Sequence, residues 1–113
     1  MIEQVHPREL TAWIGARKDQ GTPILLDVRE PWELETASVK ADGFELLTIP
    51  MRAVPLRLAE IDRSRPVACL CHHGGRSMQV AAFLAHQGYT DLANIAGGID
   101  AWSRERDPAI PRY

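Results

Sequence analysis

Pro66-Val67-Ala68-Cys69-Leu70-Cys71-His72-His73-Gly74-Gly75-Arg76-Ser77 is the stretch on which the fold turns. Its first part is an apolar run, as expected of a strand covered on both faces. Amphipathic helical spacing follows from Ser77 to Gln87, with Met78, Ala81, Ala82, Leu84 and Ala85 on one side, and Gly88 stands ready to end the helix. A thiol, Cys71, is therefore expected at the carboxyl end of a buried strand, with a two-glycine loop leading into a helix N-terminus. Such a loop can turn successive N–H groups, and the unpaired N–H groups of the first helical turn, toward one bound anion.

The chemistry of this stretch centres on Cys71. An ordinary thiol, with a pKa of about 8.5, is only a few per cent ionised at neutral pH. Lowering that value by two units takes about 2.7 kcal/mol. A helix N-terminus supplies only about 0.3–1 kcal/mol. The remainder has to come from loop N–H groups and a nearby cation, and Arg76 is the cation in the loop. The plain alternative is a buried core cysteine.

Outward from the loop, strand-like and helix-like patterns alternate. Ile2–Val5 reads as a short strand, and Pro7 opens a helix that runs to about Ala16 or Arg17. Ile24–Val28 is a second apolar strand, followed by a short helix from Glu30 with Pro31 at its front. A turn at Asp42-Gly43 leads to a strand over Leu46–Ile49. Val54–Ile61 reads as helical despite Pro55. Leu92–Ile95 is the last strand, and a final helix follows Gly97-Gly98. Trp13, Trp32 and Trp102 read as core anchors, and residues 107–113 as a proline-containing tail. The alternation predicts an α/β fold: a mostly parallel five-stranded sheet with helices on both faces. Ligands of such sheets bind beyond the carboxyl ends of the strands, where Asp27, Arg29 and Cys71 fall.

The chain of 113 residues is expected to form one domain spanning 1–113. Its net charge of −2 is mixed in sign, with no basic stripe, so no nucleic-acid partner is expected. No apolar run is long enough for a membrane span, and the first residues lack a secretion pattern. Cys69 and Cys71 form no disulfide framework, so a reducing, cytoplasmic setting is expected.

Four segments together resemble the single-domain rhodaneses, a family of sulfurtransferases. They are Leu26-Asp27-Val28-Arg29-Glu30, Ile49-Pro50-Met51, the loop Cys71–Ser77, and Ala96-Gly97-Gly98-Ile99-Asp100-Ala101-Trp102. Their order and spacing match over essentially the whole chain. Many members carry Gly-His-Ile between the first two segments; this chain has Thr36–Gly43 there, so that histidine has no counterpart. The resemblance implies a rhodanese-like fold, no cofactor, and a Cys71 persulfide. A small anionic donor such as thiosulfate, or a persulfide, would load it, and cyanide, a small thiol or a protein thiol would unload it. It also implies that His72, His73, Gly74, Gly75, Arg76 and Ser77 bind substrate, with Asp27 and Arg29 in support.

The residues themselves allow other readings. Asp27 and Arg29 suit a structural ion pair, and Ser77 suits a helix N-cap as well as a pocket hydroxyl. His72 and His73 either line the rim or stand solvated. With Cys69 and Cys71 they lack metal-ligand spacing, so no metal is expected. Cys69 reads as a small core residue. Rival functions are a regulatory or sulfur-carrying module without turnover, and phosphatase or arsenate-reductase chemistry. Loops of the latter kind are one residue longer between cysteine and arginine.

Overall fold

The computed structural model of the protein describes residues 2–113. Five strands, β1 (Ile2–Val5), β2 (Ile24–Asp27), β3 (Glu45–Thr48), β4 (Val67–Leu70) and β5 (Leu92–Ile95), form one sheet in the order β1-β5-β4-β2-β3. Every pairing is parallel. Among the described residues the α-helices are α1 (Leu10–Gly15), α2 (Pro31–Thr36), α3 (Gly75–His86) and α4 (Gly98–Glu105).

Side-chain alternation along the strands divides the interior in two. Val5, Leu25, Ala68, Leu70, Ala93 and Ile95 face one way, toward Leu10, Trp13, Phe44, Ile99 and Trp102. Ile24, Leu26, Val67, Cys69 and Cys71 face the other, toward Val80, Ala81, Leu84 and Tyr89. β2 and β4 are buried throughout, as central parallel strands must be. The consequence for the site is geometric: Cys71 continues the β4 face that packs on α3, at the carboxyl edge of a central strand.

Local differences from the sequence reading have physical causes. β3 begins one residue early, at Glu45, while the Ile49 N–H extends the ladder to the Asp27 carbonyl at 3.0 Å. Pro55 keeps the segment over Val54–Ile61 from being α-helical: Met51–Glu60 is a 3-10 helix, broken at Arg57. α3 begins at Gly75 rather than at Ser77, because Gly74 reverses the chain with φ +108° and takes the N-cap position. Ser77 is therefore not the cap; it is buried within the first turn of the helix. Gly88 follows the C-cap Gln87 with φ +94°, the left-handed stop expected there. Trp32 is not a core anchor. It sits in the first turn of α2, 62% exposed, with its ring edge-on to Tyr113 and not among the core side chains. The tail is ordered into the fold: Ile110 is buried beside Trp102, and the Ser103 hydroxyl donates to the Ile110 carbonyl.

Candidate active site

β4 delivers Cys71 to the sheet edge, and the loop that follows wraps its sulfur. The Gly74 N–H donates to Cys71 Sγ at 3.1 Å. The Ser77 hydroxyl lies 3.3 Å from the same sulfur and 2.5 Å from Asn94 Oδ1. Cys71 itself is 1% exposed, so its sulfur is enclosed by the loop and does not stand on the surface.

The loop keeps its shape because its carbonyls are taken from behind. The Ile99 N–H donates to the Cys71 carbonyl at 2.9 Å, and the Asp100 N–H to the His72 carbonyl at 3.2 Å. Both donors belong to the first turn of α4, whose N–H groups have no partner within the helix. This clamp explains Gly97-Gly98. A Cβ on Gly98 would stand 2.5 Å from the Cys71 carbonyl oxygen, and Gly98 also has φ +62°. A Cβ on Gly97 would lie 2.6 Å from that of Ala101. The glycine pair therefore serves close backbone approach.

Arg76 does not stand alone. Its Nη1 and Nη2 donate to the two carboxylate oxygens of Glu33 at 2.6 and 2.9 Å. Glu33 is 3% exposed on α2, whereas Arg76 keeps 35% of its side chain open to solvent. The bond from Arg76 lowers the Glu33 pKa to about 2 against the opposing effect of burial, helped by Tyr113 and the Glu30 N–H. The same pairing raises Arg76, which also lies within electrostatic reach of Cys71.

Asp27 and Arg29 form a buried, bidentate pair, with Arg29 Nε and Nη2 donating to Asp27 at 2.9 and 2.7 Å. Beyond Asp27, Arg29 reaches the Glu33 carbonyl at 3.3 Å and the Tyr113 hydroxyl at 3.1 Å. The pair thus underpins α2 and the tail, and neither residue contacts the Cys71 sulfur. His72 and His73 stack at 3.9 Å on the rim, and His72 is stacked in turn by Tyr113. Burial, reinforced by His73, lowers the His72 pKa and favours its neutral ring. Cys69 lies under the sheet surface, and burial pushes its thiol up to about 12.

The structure thus gathers Cys71, His72, His73, Gly74, Gly75, Arg76 and Ser77 at one edge and sets Asp27 and Arg29 one layer back. Three participants escape a sequence reading. Glu33 has the capping-box position of α2 as its only local signal, through a 3.1 Å bond from the Glu30 N–H. Asn94 is a polar residue inside the apolar strand β5. It takes the Ser77 bond on Oδ1, and its Nδ2 donates to Gln4 and to the Gly74 carbonyl, each at 3.1 Å. Tyr113 has no local signal at all.

Comparison with known proteins accords with this geometry. Residues 8–105 match the Rhodanese-like domain family. A sulfurtransferase of Allochromatium vinosum is 32% identical over 110 residues, covering 97% of this chain and 96% of that protein. The thiosulfate sulfurtransferase GlpE of Pseudomonas syringae is 29% identical over 87 residues, with 77% of each chain covered. Among solved structures, a rhodanese-related protein from Thermoplasma volcanium superposes with a TM-score of 0.76 at 26% identity, covering 98% of this chain and 99% of that one.

Proposed function

The chain belongs to the Rhodanese-like domain family, and from that premise we propose that it transfers a sulfane sulfur through a persulfide on Cys71. The observation that carries this reading is the sulfur itself: Cys71 Sγ, at the end of β4, accepts the Gly74 N–H at 3.1 Å with the Ser77 hydroxyl 3.3 Å away.

The reaction runs in two displacements. The Cys71 thiolate attacks the outer sulfur of thiosulfate; an S–S bond forms, the bond to the sulfonate sulfur breaks, and sulfite leaves with its electron pair. A thiol or cyanide then attacks the outer sulfur of the persulfide and releases the Cys71 thiolate. N–H donors of a preorganised loop stabilise the charge that develops on sulfur without having to reorganise. Arg76, close to Cys71 and part-exposed, favours an anionic donor. The thiosulfate activity named for the Pseudomonas syringae relative supports thiosulfate as one such donor. We place the reaction in the cytoplasm, on one domain spanning 1–113, with His72, His73, Gly75 and Ser77 around the bound donor and Asp27 and Arg29 behind them.

Intact-protein mass after incubation with thiosulfate tests this directly. A gain of one sulfur, about 32 Da, removed by cyanide and absent in Cys71→Ser, is the expected result for a covalent sulfur intermediate. Failure to gain sulfur from thiosulfate, mercaptopyruvate and low-molecular-weight persulfides alike would instead favour a module that binds without turnover.

A further inference from the structure

Tyr113 lies outside the segment that matches the family, residues 8–105, yet it is built into the site. Its phenol donates to Glu33 Oε2 at 2.6 Å and accepts from Arg29 Nη1 at 3.1 Å. Glu33 receives both Nη groups of Arg76, and Arg29 is held by Asp27. A continuous line of side chains therefore runs Asp27–Arg29–Tyr113–Glu33–Arg76, with a neutral phenol between two ion pairs. The Tyr113 ring also lies flat on His72, at 3.9 Å and 11°, and Trp32 meets it edge-on at 6.1 Å. The tail that carries Tyr113 is tied down by buried Ile110 and by a 2.9 Å bond from Arg112 to Asp100.

We propose that Tyr113 is a positioning residue for Arg76: through Glu33 it sets how much of the Arg76 charge acts on an anion at Cys71, and through His72 it holds the rim of the loop. Glu33 has one negative charge to share among its donors. The phenol and the Glu30 N–H each draw on that charge, and what they take is not spent on the Arg76 guanidinium. Without the phenol, Oε2 turns wholly to Arg76 and the field of the pair at Cys71 weakens. In sulfur transfer, a role that rests on the Cys71 reading, Tyr113 then helps select anionic donors.

Alkylation of Cys71 in the full chain tests the proposal without needing turnover. Iodoacetate and iodoacetamide react alike: the thiolate attacks the methylene carbon, the C–S bond forms, and iodide leaves with the C–I electron pair. The two differ in charge, so the ratio of their rates at Cys71, followed to completion and located by peptide mass, reads the local field and cancels changes in nucleophilicity. Tyr113→Phe keeps the ring on His72 and removes only the hydroxyl. It should lower the iodoacetate-to-iodoacetamide ratio by about threefold to fivefold, a fraction of what one hydrogen bond to a charged group is worth, because the phenol acts on Arg76 only through Glu33. Arg76→Gln should lower it at least as far, and the double variant no further than Arg76→Gln alone. For sulfur transfer, Tyr113→Phe should raise KM for thiosulfate by a similar factor with little change in kcat. An unchanged or raised ratio in Tyr113→Phe, or losses that add in the double variant, overturns the proposal. Absence of sulfur uptake by the unmodified protein would defeat the proposed function while the alkylation ratio still decides the role of Tyr113.

Discussion

Cys69 and Cys71 occupy the same sheet face two residues apart, yet their surroundings assign them opposite behaviour. Burial holds the Cys69 thiol protonated at neutral pH, whereas Cys71 meets an N–H donor and a hydroxyl where the strand ends. Cys71→Ser should abolish sulfur transfer and leave the fold intact, whereas Cys69→Ala should retain transfer; assays of both variants with thiosulfate and cyanide check this. Arg76→Ala should weaken anionic donors more than uncharged ones, read as separate kcat/KM values; equal losses would make Arg76 structural. Glu33 carries a pH signature. Its folded pKa, about 2, lies below its ordinary value of 4.5. The stability it adds is therefore fully present above about pH 4.5 and is lost as pH falls through about 2. Glu33→Gln should destabilise the protein at pH 6 and flatten the decline in that acid window, as measured by urea unfolding at several pH values. Cys71 and Arg76 were legible in the sequence as a thiol and a cation that share one short loop. Glu33, which pairs with that cation, was not, because it lies 43 residues away on another element.

At the scale of elements, the Cys71 loop is a joint between β4, α3 and α4. The turn into α3 depends on Gly74, and the clamp from α4 depends on Gly97-Gly98. Alternating strand and helix patterns with glycines at the junctions were readable locally, as were the parallel sheet and its carboxyl edge. The start of α3 was not: helical spacing pointed to Ser77, but the positive φ of Gly74 lets the helix begin at Gly75. Gly98→Ala should cost about 2 kcal/mol or more, since the new methyl meets the carbonyls of Cys71 and His72 and the backbone sits at positive φ. Gly75→Ala, with open space around the built Cβ and a helical position, should be neutral or slightly stabilising in the same unfolding measurement. Similar losses for the two would show that the clamp is not what the glycine pair serves.

At the scale of the whole molecule, two apolar layers enclose one sheet, and the tail closes the layer that contains Trp102. Ile110→Ala should therefore cost about 2 kcal/mol or more, as truncation of a buried aliphatic side chain does. A loss well below that, by urea unfolding, would place the tail outside the cooperative unit. The sequence by itself determined the layered α/β plan, the parallel sheet, and a cysteine loop at its edge. Those features are encoded in apolar runs, local periodicity and glycine placement, each a matter of neighbouring residues. Only the tertiary structure decided that Arg76 is paired with Glu33, that Ser77 shares its hydroxyl with Asn94, that Trp32 is exposed, and that Tyr113 returns over the loop. The three contacts join residues far apart in the chain, and their geometry, like the exposure of Trp32, exists only once the sheet has brought its carboxyl ends together.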